Sequence, residues 1–310
     1  MTTAPCPLCL TNETSLVEVI HGQKLTRAWF KSYGINIDLH GEDVSYICCN
    51  RCDLKFFHPP SAGGGDLYDT LQKFDWYYTT AKPEYDIAKP LLPAEGPILE
   101  VGSGKAAFAS YIGTHRYTGL EFSDAAFRRA AEAGITLLKE TIEDHAAAHP
   151  AAYDGVVSFQ VLEHVTDPHR FVQGCVQALK PGGTLVLAVP DHEGLCGIAQ
   201  NNILDMPPHH VSHWSEQSLR MLAELYDLEV VVIERETVSS LHTAWAARAV
   251  EERKLRHRFG LGETLLDTSI VGRAISKYAG LRAADQPAPE DMAGHTVVAS
   301  YRKTARRRDA

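Results

Sequence analysis

The chain has 310 residues, 45% of them hydrophobic and 22% charged, with 30 basic against 39 acidic side chains and a net charge of −9. That length suits about two domains, or one large α/β domain with appendages, and the apolar share excludes global disorder. The acidic balance argues against a protein held mainly on nucleic acid phosphates, and no apolar run approaches the ~20 residues of a membrane span.

The opening segment MTTAPCPLCL lacks the basic and apolar regions of a secretory leader, so a soluble, cytoplasmic protein is expected. Seven cysteines are present, and five of them lie in the first 52 residues. Cys6 and Cys9 form one Cys-x-x-Cys knuckle and Cys49 and Cys52 another, each able to offer two thiolates to one tetrahedral Zn²⁺. Pro7 and the pair Asn50-Arg51 supply turn residues inside the knuckles. A redox pair would sit beside a βαβ pattern, and neither knuckle has one. A structural zinc ion on Cys6, Cys9, Cys49 and Cys52 is therefore expected, because four thiolates leave no open coordination position. Cys48 stays an alternative to Cys49, although only Cys49 gives the two-residue spacing. So small a module buries little surface, and the metal would supply much of its folding energy.

Residues 10–47 alternate short apolar and polar stretches, which predicts short strands around the metal. The run from Pro59 to Gly65 is the clearest linker signal and closes a zinc-binding module over 1–60. Residues 61–92 are aromatic-rich and read as helical pieces broken at Pro83 and Pro90. From Pro97 the pattern becomes strand and helix in alternation. PILEV, RYTGLEF, YDGVVSF and GTLVLAV are strands, separated by AAFASYIG, SDAAFRRAAEAG and the run Asp167 to Leu179 at helical spacing. Such alternation means a parallel sheet covered on both faces. LEVVVIE and HTVVASYR are two further strands, with a helical insertion over about 239–293 between them. The basic end, including Arg306, Arg307 and Arg308, reads as a solvated tail.

The first strand of the alternation runs into Gly102-Ser103-Gly104 and then a helix. The glycines allow a sharp turn and close approach of a ligand, and the helix start offers unpaired N–H groups. Glu121 ends the next strand, where an acid would meet ribose hydroxyls. On these residues alone, a nicotinamide fold reading Gly102, Gly104 and Ala107 fits as well as other nucleotide folds.

A longer series of motifs separates them. LEVGSGKAAF, TGLEFS, TIEDH, YDGVVSFQVLEHVTDP and LKPGGTLVLAVP follow in that order at ordinary spacings. Together they closely resemble the class I S-adenosylmethionine-dependent methyltransferases, and GHTVVASYRK resembles that family's antiparallel last strand. The resemblance implies an α/β, Rossmann-like, seven-stranded and mostly parallel sheet over 93–310, with the zinc module before it. It implies S-adenosylmethionine as cofactor, lined by Glu100, Gly102, Ser103 and Gly104 at its methionine end. Glu121 would take the ribose hydroxyls, with Phe122 beside it, and Ile142 and Glu143 the adenine. Phe159 and Gln160 would stand near the sulfonium. Trp76-Tyr77-Tyr78 resembles the lid over this cofactor, with Tyr78 as its candidate contact. The third glycine of the usual loop is Ala106 here, which leaves less room.

Methyl transfer to a hydroxyl needs a base, and histidine is the usual one. His209, His210 and His213 cluster after GTLVLAVP, on a loop beyond the carboxyl end of the sheet, where open α/β sheets bind ligands. A base or substrate contact, a structural loop and a second metal site all remain open for this cluster. His210 and His213 are the favoured bases. The lack of a nearby acidic partner in sequence counts against metal. His164 in VLEHV is a candidate for orienting groups beside the cofactor, and Glu163 reads as a structural acid. The expected reaction is methylation of a hydroxyl on a sugar, nucleotide sugar or similar small polar acceptor. A C- or N-methyltransferase, a nicotinamide oxidoreductase and a modifier of nucleic acid or protein are the alternatives. No nucleic acid or membrane partner is expected, and a homodimer is left open.

Overall fold

The computed structural model describes residues 4–39, 41–71, 73–74, 82–284, 286–287 and 291–305. Two sheets organise it. The smaller is built from β1 (Thr14–Ile20), β2 (Val44–Cys49) and β3 (Lys55–His58), all antiparallel. Between β1 and β2 lies α1 (Gly22–Tyr33), where short strands were expected from the alternation of apolar and polar residues. Leu25 and Trp29 stand four apart and are fully buried, so the helical period wins locally. Gly34, at φ 68°, ends the helix in the left-handed conformation that glycine adopts without strain.

Two short helices follow, α2 (Gly65–Leu71) and α3 (Pro83–Ala88). The alternating region then gives β4 (Ile98–Val101), α4 (Ala109–Ile112), β5 (Tyr117–Leu120), α5 (Asp124–Glu132), β6 (Thr136–Leu138), α6 (Ile142–Ala148), β7 (Tyr153–Phe159), α7 (Pro168–Ala178) and β8 (Leu179–Pro190). Thr141, Ser123 and Asp167 cap three of these helices by accepting from backbone N–H groups. The chain continues through α8 (Leu195–Ile198), β9 (Ser212–His213), α9 (Glu216–Leu225), β10 (Leu228–Thr237), α10 (Thr243–Arg258), α11 (Ile270–Ala283) and β11 (Ala293–Lys303).

The larger sheet has seven strands in the order β10-β11-β8-β7-β4-β5-β6. Pairings from β8 to β6 are parallel, and β11 is antiparallel to both of its neighbours. This is the mostly parallel Rossmann-like sheet with an antiparallel last strand that the motif series implied. β6 has only three residues, too few for an alternation to register in sequence. α10 and α11 stand between β10 and β11 in chain order.

One connection was not legible. β9, from the histidine-rich loop, adds a fourth strand to the small sheet, pairing Lys55 with His213 and Phe56 with Ser212. The glycine-rich stretch is also held there, since Gly63 N–H donates to Pro208 O. His169 Nδ1 of α7 meets Leu8 O at 3.0 Å, and Gln217 of α9 donates to Arg51 O. Accordingly one continuous apolar core joins Leu8, Ile47 and Phe56 of the cysteine module to Leu99, Trp214 and Tyr301 of the large sheet.

Candidate active site

Four cysteine sulfurs meet at the tip of the small sheet. Cys6 and Cys52 lie 3.6 Å apart, Cys9 and Cys49 3.5 Å, and all four Sγ atoms fall within 4.8 Å of one another in a buried cluster. Cys52 N–H points at Cys49 Sγ. These contacts link the thiols: the hydrogen bond with Cys52 lowers Cys6 and raises Cys52, and burial pushes Cys9 up to about 11. Cys48 is outside the cluster. Its thiol faces Asp53, and burial pushes it up to about 11.

A cavity of about 1870 Å³ opens at the carboxyl ends of β4, β5 and β7, the general binding edge of open α/β sheets. It exceeds the ~300–1,000 Å³ usual for one small ligand, so it has room for a cofactor and an acceptor together. Its lining brings together Glu100, Gly102, Ser103, Gly104, Glu121, Phe122, Phe159 and Gln160. Gly102 turns at φ 74° with Val161 so close that a Cβ would lie 2.4 Å from it. Ala106 also sits at positive φ, 53°, at a cost of about 1–2 kcal/mol. Its methyl packs with Ala109 and Tyr117 and does not line the cavity, so the space feared lost there is kept.

Glu121 already has work to do. Its carboxylate accepts from Gly104 N–H at 2.7 Å and from the N–H groups of Phe122 and Ser123, which ties the glycine loop to the end of β5. Glu100 is buried and accepts from the Tyr117 hydroxyl, and burial raises it to about 8. Ser103 Oγ is buried with no hydrogen-bond partner among the described residues. Phe159 packs against Tyr85 and Phe108 at ring distances of 4.9 Å. Gln160, at φ 57°, donates to Thr296 Oγ1.

Ile142 and Glu143 are not in the cavity lining. Ile142 starts α6 and packs against Gly174 of α7 in the core. Trp76, Tyr77 and Tyr78 lie outside the described residues, as do Arg306, Arg307 and Arg308.

The other half of the cavity is walled by His164, His209 and His210, whose ring centroids are 4.5–4.8 Å apart. Each Nδ1 is bound to an oxygen: His164 to His209 O, His209 to Leu204 O at 2.7 Å, and His210 to Asp205 Oδ1 at 2.8 Å. Burial holds His164 neutral, down at about 3, and His209 well below the usual imidazole range. Asp205 corrects the expectation that the cluster has no acidic partner. It is buried and also meets His192 at 3.2 Å and His213.

His213 is no base. Its Nε2 donates to Asp205 O at 2.7 Å and its Nδ1 accepts from the Tyr46 hydroxyl, away from the cavity.

Two further acids of the lining are not marked by any motif for this half of the site. Glu163 is 1% exposed, and neither carboxyl oxygen has a hydrogen-bond partner among the described residues. Burial raises it to about 8, and Oε1 lies 3.8 Å from His164 Nε2. Its backbone O accepts from Val211 N–H, which anchors the loop to the end of β7. Glu236 of β10 reaches about 7, also by burial. Trp245 of α10 and His242, which precedes that helix, complete the wall.

Residues 78–233, half of the chain, match the family model described as a methyltransferase domain. The chain is 29% identical over 157 residues to the ubiquinone biosynthesis O-methyltransferase of Salmonella enteritidis, covering 47% of this chain and 64% of the relative. It is 33% identical over 123 residues to the protein of that name from Escherichia coli, covering 36% and 51%. The matched stretch thus spans between half and two thirds of these curated relatives. Among solved structures, a SAM-dependent methyltransferase from Archaeoglobus fulgidus overlays at a TM-score of 0.47 and 14% identity, covering 71% of this chain and 94% of that one.

Proposed function

The chain belongs to the methyltransferase-domain family, and on that premise we propose that it transfers a methyl group from S-adenosylmethionine to a hydroxyl oxygen of a small polar acceptor such as a sugar or nucleotide sugar. One observation carries this reading. The glycine loop and Glu121 share a cavity with the buried carboxyl of Glu163, which has no hydrogen-bond partner among the described residues, and with three imidazoles.

When bound, S-adenosylmethionine supplies an electrophilic methyl on a sulfonium. Glu100, Ser103, Gly104, Glu121, Phe159 and Gln160 are the residues that would hold it. Glu121 keeps lone pairs for ribose hydroxyls while bracing the loop, and Ser103 Oγ is a buried donor in need of a partner. The far half of the cavity is built almost wholly of acceptors. With each Nδ1 of His164, His209 and His210 donating to an oxygen, Nε2 is the ring nitrogen through which these side chains can accept. Glu163 and Glu236 add carboxyls. Such a corner favours a hydroxyl-bearing ligand, whose O–H groups donate. Glu163 takes the proton of the attacking hydroxyl. The contact of His210 with Asp205 favours a second reading in which His210 is that base.

The cysteine cluster fits structural zinc, which we propose as its occupant. A tetrahedral ion with Zn–S bonds of about 2.3 Å places its sulfurs roughly 3.8 Å apart, close to the 3.5 and 3.6 Å of the two close pairs. Four thiolates without an open position hold the module together and do no chemistry.

Titration with S-adenosylhomocysteine and with NADH, followed by a labelled-methyl assay over nucleotide sugars, free sugars and quinols, tests the reading. Binding of the homocysteine compound and label on a sugar hydroxyl are expected. Binding of NADH alone would overturn the cofactor, and label only on quinols would overturn the acceptor class.

A further inference from the structure

We propose that α11 docks in the plane of an anionic phospholipid bilayer, with its outer apolar face among the lipid chains and its flanking cations against the headgroups. The inference goes beyond methyl transfer and does not depend on the identity of the acceptor.

This helix is apolar on two faces. Gly272, Ile275, Ala279 and Ala283 form the buried one. α10 packs against the helix, and Arg248 donates to Ser276 Oγ at 2.7 Å. Ile270, Ala274, Tyr278 and Leu281 stand at i, i+4, i+8 and i+11 and share a second face, with Val271 at its margin. That face is open to solvent: Ile270 is 78% exposed, Leu281 69%, Val271 56% and Tyr278 50%. Single exposed apolar side chains are ordinary on a soluble surface, whereas a contiguous set marks a contact.

The charges decide what covers it. α11 carries Arg273, Lys277 and Arg282, all exposed, and no acidic residue. At about 100° per residue, Arg273 and Lys277 border the apolar face on one side and Arg282 on the other. Arg273 donates to Thr268 O, Arg282 lies 3.3 Å from Glu251 of α10, and Lys277 has no ion pair among the described residues. Residues 241–284 hold eight Lys or Arg against four acids, a net of +4 (8 − 4), in a chain whose net charge is −9. The total charge of the chain hides this local surface.

An anionic bilayer satisfies both features at once. Apolar side chains enter the boundary between headgroups and acyl chains, and the long basic side chains at the margins reach back to the phosphates. A second copy of the chain, docked by the same face, would set these cations against their own counterparts with no acid in the helix to receive them. Nucleic acid would take the cations and leave Ile270, Val271 and Leu281 facing water. No helix among the described residues is long and apolar enough to cross a membrane, so the contact lies in the plane. α10 lends Trp245 to the cavity wall, and docking of α11 therefore ties one wall of the site to the lipid surface.

Flotation of the full chain with vesicles of phosphatidylcholine and phosphatidylglycerol, against vesicles of phosphatidylcholine alone, tests the proposal. Binding to the anionic vesicles is expected, weakening as salt rises from about 0.05 to 0.5 M. Arg273→Gln with Lys277→Gln should weaken it by about 25-fold, at roughly fivefold for each cation removed. Ile270→Ser with Leu281→Ser should abolish it. Lys24→Gln with Lys31→Gln removes as much charge from exposed positions on α1 and should change binding by less than about twofold. All these side chains are exposed, so Tm should match the parent in each variant and reports that it has folded. No binding to anionic vesicles at low salt, or an equal loss in the α1 variant, overturns the proposal. A dimer that Ile270→Ser with Leu281→Ser converts to monomer, in a parent that leaves vesicles unbound, assigns the face to a second copy and overturns it as well. Binding to duplex DNA in place of vesicles does the same.

Discussion

The Tyr46 hydroxyl donates to His213 Nδ1 at 2.7 Å, across 167 residues of sequence. Because His213 Nε2 donates to Asp205 O, Nδ1 must be the acceptor, and the tautomer is settled by its two partners. This buried bond, together with the β3–β9 pairing, makes the cysteine module one wall of the loop that carries His209 and His210.

Tyr46→Phe should leave His213 Nδ1 without a donor and cost about 1–3 kcal/mol. Thermal unfolding should show it as a fall of roughly 2–4 °C in Tm for each kcal/mol. The acceptor KM should rise while affinity for S-adenosylhomocysteine holds. A variant as stable as the parent would mean that water replaces the hydroxyl.

Loss of the zinc proposed for the four cysteines should be felt at a distance for the same reason. Cys52→Ser should lose that ion by elemental analysis and loosen the small sheet. The β3–β9 strand pair would then transmit the loss to the histidine loop. We expect acceptor binding to suffer more than cofactor binding. An equal effect on both would point to global unfolding.

Glu163→Gln keeps the shape of the corner and removes its proton acceptor. Turnover should fall by roughly 10²–10⁴-fold, with S-adenosylhomocysteine affinity unchanged by calorimetry. If His210→Gln alone produces that loss and Glu163→Gln does not, His210 is the base.

Stability should depend on pH through Glu100. Burial raises its folded pKa to about 8 from an ordinary 4.5. Below about 4.5 the carboxyl is protonated in both states and contributes no slope. Between about 4.5 and 8 the folded state keeps the proton that the unfolded state loses, so stability falls as pH rises. One such group contributes at most about 1.4 kcal/mol per pH unit. Glu163 is raised to about 8 by the same cause and adds to the slope over the same window. Urea unfolding at pH 5, 6.5 and 8.5 should show the decline, and Glu100→Gln should flatten it. An identical slope in the variant would place the titration elsewhere.

Local information was enough for much of this protein. Cys-x-x-Cys knuckles, a strand ending in Gly102-Ser103-Gly104 and the apolar runs of the parallel strands are short-range patterns, because turns, strand burial and ligand spacing are local requirements. They yielded the sheet, the glycine-loop half of the cavity and the four clustered cysteines. Short-range pattern failed where two periods compete over few residues, as in α1, or where a strand has three residues, as in β6.

What only the tertiary structure decided lies between elements far apart in the chain. Of the three histidines within five residues, His210 and His213 were favoured alike in sequence. Folding turned His213 into a prop between Tyr46 and Asp205, and set His209 and His210 on the cavity with His164. Glu163 looked like an ordinary acid beside a helix start, and only folding shows it buried with no hydrogen-bond partner among the described residues. Burial and pairing belong to the packed whole: desolvation depends on every element that closes over a group, and no window of sequence contains them all.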